Sequence, residues 1–229
     1  NAYIGLHVGG WEAFKRGFWE LPKRSTDWSF IQGSVDGVNF FSGLENIAYW
    51  PNNGKIHEKN PNARVQGKQA WNKKGFITSP MGSLPFAYYL GGIFDNNTCV
   101  IIPKEEKHLP ALWCFCSSPN YNEEVRKIDQ KLNVTNSTLV KIPFDLDYWQ
   151  KVASEKYPNG LPKPYSDDPT QWLFHGHPVK AENALQVAVA RLLGYRWPAE
   201  SDEEMELSDE AKELIKQVNE LELPVDEDG

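Results

Sequence analysis

The residues best equipped for chemistry lie in two basic, polar stretches. The first, Arg64-Val-Gln-Gly-Lys68-Gln69-Ala-Trp71-Asn72-Lys73-Lys74-Gly75, interleaves cations with amides and an indole. Lysine and arginine reach phosphate oxygens, an amide can bond adenine through two atoms at once, and a large π-face stacks on a base. The second, Arg126-Lys127-Ile-Asp129-Gln130-Lys131-Leu-Asn133-Val-Thr135-Asn136-Ser-Thr138, repeats the theme where a helix gives way to a loop, and Lys141 follows. These stretches nominate Lys68, Lys73, Lys74, Lys131 and Lys141 as phosphate contacts. Gln69, Asn72, Asn133, Thr135 and Asn136 are the candidates for polar contacts to bases or backbone, and Trp71 for a stacking or wedging ring. The competing reading puts Trp71 in the core and leaves the lysines solvated, since mixed exposed charge is the ordinary state of a surface.

Other chemistries find less support. Cys114 and Cys116 with His175 and His177 resemble a metal set, but two positions apart on a helix point about 200° from one another. Buried free thiols are the simpler reading, and His175 and His177 then bond to backbone in a loop. Asp167-Asp168-Pro169 is a turn and helix-cap signal. The chain has no Gly-x-x-x-x-Gly-Lys-Ser/Thr loop, no Gly-x-Gly-x-x-Gly, no Gly-x-Ser-x-Gly and no His-Glu-x-x-His, so nucleotide hydrolysis and serine- or zinc-protease chemistry lose ground.

The elements that must position these residues mix strands and helices. Residues 28–32, 38–41, 75–79, 88–92, 98–103 and 138–142 read as strands. Helices are expected over 108–117, from an Asn122 cap to 132, from an Asp147 cap to the stop at Pro158-Asn159-Gly160, over 182–193, and from a Ser208 cap to 221. Pro51-Asn52-Asn53-Gly54 and Asn60-Pro61-Asn62 are turns. No regular βαβ repeat emerges, so the fold class is α+β: a mixed domain over residues 1–145 and a helical region over 146–229 ending in an acidic tail.

The charge is distributed unevenly. Of a formal −7, the segment from Ala199 to Gly229 carries 13 acidic residues against two lysines, a balance of −11, which leaves +4 for residues 1–198. Between Lys55 and Lys141, 12 Lys and Arg face 7 Asp and Glu, so the stretch holding the candidate contacts is the basic part of the chain. Three cysteines in 229 residues are too few for a disulfide framework and point to a reducing, cytoplasmic setting. No run nears the ~18 apolar residues of a membrane helix. The first residue is Asn rather than Met, which suggests a piece of a longer chain.

Several long runs resemble a known family. They are Leu109-Pro-Ala-Leu-Trp-Cys-Phe-Cys-Ser117, Tyr121 through Asn136, Leu139-Val-Lys-Ile-Pro-Phe-Asp145, Asp168-Pro-Thr-Gln-Trp-Leu-Phe-His-Gly-His-Pro178, and Leu185 through Pro198. The chain from about Val65 to Pro198 is similar to the C-terminal region of large adenine-specific DNA methyltransferases of bacterial restriction-modification and phage-defence systems. The resemblance implies a target-recognition region that grips double-stranded DNA while a catalytic domain elsewhere in the parent chain binds S-adenosylmethionine and flips the adenine. That chemistry uses an Asn/Asp-Pro-Pro-Tyr-type motif, and this chain contains no Pro-Pro dipeptide. The expectation is therefore a DNA-binding fragment that is not catalytic alone and holds neither cofactor nor metal. The alternative is a protein-interaction or scaffold module of a defence system, docking through its aromatic-rich N-terminal part.

Overall fold

A computed structural model describes residues 1–21, 25–163, 184–192 and 209–220. The fold is α+β, with two four-stranded sheets and helices packed against one of them. The strands are β1 (Ala2–Ile4), β2 (Lys15–Gly17), β3 (Trp28–Gln32), β4 (Asn46–Tyr49), β5 (Gly75–Thr78), β6 (Phe86–Tyr89), β7 (Ile93–Phe94) and β8 (Cys99–Ile101). The helices are α1 (Trp11–Phe14), α2 (Pro51–Glu58), α3 (Leu109–Cys116), α4 (Pro119–Ile128), α5 (Leu146–Lys156), α6 (Ala184–Leu192) and α7 (Asp209–Asn219). Among the described residues, no helix is long and apolar enough to cross a membrane.

The first sheet, ordered β1-β8-β5-β6, is wholly antiparallel, with Ile77 of β5 facing Val100 on one side and Ala87 on the other. Both of its faces are covered, and side chains alternate between them with the two-residue period of a strand. Phe76, Phe86, Cys99 and Ile101 point into a core with Trp113 and Phe115 of α3, Tyr121 and Val125 of α4, and Trp149 and Ala153 of α5. Ile77, Ala87, Tyr89 and Val100 point the other way, onto Val35, Ala70 and Phe94. That is why β5 is buried along its whole length. Helix α5 lies past residue 145, where the second region was expected to start, yet it shares this core.

The second sheet, β2-β4-β3-β7, pairs β3 with β7 in parallel and is antiparallel elsewhere. Gln32 joins the sheets: its buried side-chain amide donates to Ser42 O at 2.9 Å and to Tyr88 O of β6 at 2.7 Å. Within the second sheet a buried ion pair ties β2 to the chain just past β7, with Lys15 Nζ 2.8 Å from Asp95 Oδ2 and the side chains only 2% and 5% exposed. Burial pulls the Lys15 ammonium below its ordinary range against the pull of Asp95, and pushes the neighbouring Glu45 carboxyl up.

The turn expected over Pro51-Asn52-Asn53-Gly54 is present as a left-handed run through Asn52, Asn53 and Gly54 that opens α2, and a Cβ on Gly54 would stand 2.3 Å from the Trp50 ring. That turn brings buried His57 back under Trp50, with Nδ1 3.2 Å from Val8 O and Nε2 2.7 Å from Tyr49 O. Several other expectations need correction. Residues 38–41 form no strand, although Asn39 N donates to Phe86 O and Tyr88 N to Phe40 O along the outer edge of β6. Helix α4 starts at Pro119 rather than beyond an Asn122 cap, with Ser118 extended ahead of it, and ends at Ile128. Leu132 lies outside it and is exposed. The cap of α5 is Asp145, not Asp147, with Oδ1 accepting from Tyr148 N at 3.0 Å. Residues 138–142 hold a 3₁₀ turn over Thr138–Val140 instead of a strand. On α6, the apolar positions Leu185, Val189 and Leu192 are exposed. Ser208 lies outside the described residues, just ahead of α7.

Candidate nucleic-acid interface

The first basic stretch is a tight turn that sorts its side chains inward and outward. Gly67 opens it at φ +78°, where an added Cβ would stand 2.7 Å from both Ile4 O and the Phe94 ring. A side chain is excluded there on two counts, backbone angle and space. A 3₁₀ turn over Lys68–Ala70 follows, with Ala70 buried in the core and Lys68 and Gln69 exposed. Asn72 adopts a left-handed conformation and its N–H donates to Gly91 O at 2.9 Å, which swings Lys73 and Lys74 outward ahead of β5. Trp71 points the other way. Its half-buried ring packs against the Val35, Ala70 and Phe94 side of the first sheet and against a second cluster of Leu6, Ile31 and Trp50, lying edge-on to Trp50 at 6.0 Å. Its Nε1 is buried and has no hydrogen-bond partner among the described residues. The indole is thus spent largely on packing.

The second stretch is built around one carboxylate. Asp129, just past α4, accepts from Lys131 N at 3.2 Å, Thr135 N at 3.1 Å and the Thr135 and Thr138 hydroxyls at 3.4 Å. The backbone donors of Thr135 and Lys131 hold its pKa below the ordinary carboxylate value. Arg126 clamps the loop from the helix side: one guanidinium nitrogen donates to Lys131 O and the other to Gly82 O at 2.6 Å. Val134 is buried, its N–H donating to Pro80 O at 2.8 Å, and Asn133 bridges to Met81. Held in this way, the loop exposes Lys131, Asn133 and Thr135, half-exposes Asn136, and leads to exposed Lys141. The Thr135 hydroxyl is already engaged, 2.8 Å from that of Thr138.

The two groups do not touch. They flank β5, the first entering it at Gly75 and the second meeting the chain at Pro80 and Met81 beyond Thr78. The four residues of β5 rise on the order of 13 Å, which is roughly four base-pair steps of duplex. Among the described residues, Lys73, Lys131 and Lys141 have no ion-pair partner, whereas Lys68 is 2.7 Å from Glu58 and Lys74 is 2.9 Å from Glu106. Those carboxylates are half-exposed or more, so the pairs exchange readily for another anion.

Arg126 and Asp129 were not among the nominated residues, although they shape the second loop. The available signal was Asp129 two residues before Lys131, the spacing at which an aspartate bonds the backbone ahead of it. Cys114 and Cys116 are buried free thiols on α3, and no group of three potential metal ligands occurs among the described residues. Asp167, Asp168, His175 and His177 lie outside those residues. No protein-family model matches the chain, and no curated protein matches it significantly.

Proposed function

We propose that this chain is a DNA-gripping target-recognition fragment of an adenine-specific (N6) DNA methyltransferase, working with a catalytic domain of the same parent chain. The observation that carries the reading is the pairing of two exposed basic and polar loops at the two ends of one fully buried strand. Three lysines of these loops lack ion-pair partners among the described residues and are open to phosphate oxygens at separate points of one duplex. The family resemblance of residues 109–145 and 185–198 supports the same reading from the sequence. Lys73, Lys131 and Lys141 lead the phosphate contacts, with Lys68 and Lys74 joining by exchanging their carboxylates. Gln69, Asn72, Asn133 and Asn136 supply polar contacts, while Trp71 and Thr135 act from within as supports.

S-adenosylmethionine and the methyl-transfer step belong, in this reading, to the catalytic domain of the parent chain, and no such step is assigned to the described residues.

The test is fluorescence anisotropy of a labelled duplex at two salt concentrations, with a heparin-type polyanion as competitor. The reading requires binding that weakens with salt and prefers some duplexes over the polyanion. Absence of binding at low salt, with residues beyond 198 removed, would sink it. It would turn attention to a docking module, which the exposed Leu185, Val189 and Leu192 of α6 favour.

A further inference from the structure

A cleft on the helical side of the first sheet has no part in the reading above. It lies between the end of β8, helix α3 and the chain from Leu139 to Leu146, and encloses about 430 Å³. That is within the range of small-molecule sites, ~300–1,000 Å³. Its walls are carbon: Ile101, Leu112, Phe115, Val140, Ile142 and Phe144.

The polar groups at the floor ask nothing of a ligand. The Tyr121 hydroxyl donates to Leu139 O at 2.9 Å, and burial keeps the Cys116 thiol protonated by pushing its pKa far up. One side of the lining is different in kind. Lys104 and His108 reach it, and neither has an ion-pair or hydrogen-bond partner for its side chain among the described residues. The acidic neighbour there, Glu105, is held by Lys107 at 2.7 Å. An apolar chamber edged by the Lys104 ammonium and by the His108 ring, which shares the field of Glu105 with Lys107, fits a body that is carbon along its length and negative at one end. A neutral apolar molecule would leave Lys104 and His108 unused, and a cation would be repelled by Lys104. Val140, 43% exposed, stands in the cleft lining next to open solvent, where a ligand would cover it.

We propose that this cleft binds an amphiphilic monoanion, a medium-chain alkyl or aryl carboxylate, with the carboxylate at Lys104 and His108 and the apolar body against Phe115, Ile142 and Phe144. The site is independent of the DNA reading.

Three probes of equal chain length separate the contributions when titrated by calorimetry into the full chain: decanoate, decan-1-ol and decyltrimethylammonium. Decanoate is expected to bind once per chain, decanol more weakly and the ammonium most weakly. Shortening the acid should cost about three- to fourfold in affinity per methylene removed. Lys104→Glu changes an exposed side chain and should weaken decanoate about fivefold or more with little effect on decanol. Val140→Trp, also at an exposed position, should obstruct the cleft and abolish binding of both while the thermal midpoint stays in place. Equal binding of all three probes, decanoate binding indifferent to both substitutions, or no binding below the micellar range would each overturn the proposal.

Discussion

Salt dependence puts the proposed interface to a quantitative trial. Each phosphate neutralised by a lysine releases counterions and contributes about 0.9 to the slope of log K against log salt. Lys73, Lys131 and Lys141 have no carboxylate to give up among the described residues, so they set a minimum slope of about 2.7. Over a rise from about 50 to about 200 mM salt, that slope costs roughly 40-fold in affinity. If Lys68 and Lys74 also exchange Glu58 and Glu106 for phosphate, the slope reaches about 4.5 and the loss is roughly 500-fold. Those pairs are exposed and solvent-screened, so their recruitment is within reach of a single phosphate contact. Anisotropy titrations at three or more salt concentrations give the slope directly. The triple variant Lys73→Gln, Lys131→Gln, Lys141→Gln should then fall to the roughly 1.8 that two phosphates allow. All three side chains are exposed, so the thermal midpoint should barely move and folding is not in question. A triple variant that keeps the parent slope would refute the placement of the interface, whatever else the chain binds.

Three further outcomes follow from the buried charges and thiols. Lys15→Met leaves the Asp95 carboxylate buried without its cation and should destabilise the chain by about 3–5 kcal/mol in urea unfolding, with much of the loss recovered when Asp95→Asn is added. An unchanged midpoint would show that the pair is not closed in solution. Glu45 has a folded-state pKa raised by burial, so between its ordinary 4.5 and the raised value the folded chain binds more protons than the unfolded one. Stability is therefore lost as pH rises through that window, and Glu45→Gln should flatten the slope and stabilise the chain at neutral pH. Parallel pH profiles of the two proteins would contradict this. Finally, burial pushes Cys99 up to about 12 and raises Cys114 and Cys116 as well, so a thiol reagent should label the native chain far more slowly than the urea-unfolded one.

What the sequence revealed depended on how local the governing interaction was. Strands β5 and β8 are short β-branched or aromatic runs with their own stop signals, and residues 75–79 and 98–103 located both. Helix α3 was equally plain because its apolar run has no competing partner. Errors arose where two residues could do the same work. Asp145 and Asp147 both suit a cap, and only the fold shows which one meets the Tyr148 N–H. Ser118-Pro119 was the better start for α4 than Asn122, since proline is preorganised for the first helical position and has no N–H to leave unpaired there. Residues 138–142 look β-branched, but Thr138 N bonds back to Thr135 O and Lys141 N to Thr138 O, which closes a turn instead of offering an edge. For the site, composition nominated the exposed lysines and amides but could not separate Trp71 from them. An indole reads alike in a core and on a surface, and its packing is fixed by Trp50, about twenty residues away in the chain.

The loop after α4 has a division of labour between the residues that hold it and those that face outward. Asp129, Arg126 and the buried Val134 determine its path from within, through bonds to backbone and to Thr138. Lys131, Asn133 and Asn136 contribute no side-chain hydrogen bond to that frame among the described residues. Their side chains can therefore be exchanged while the curve of the backbone stays the same. A loop arranged in this way can acquire a new preference by single substitutions, each testing a different surface chemistry on an unchanged support, without a passage through unfolded intermediates.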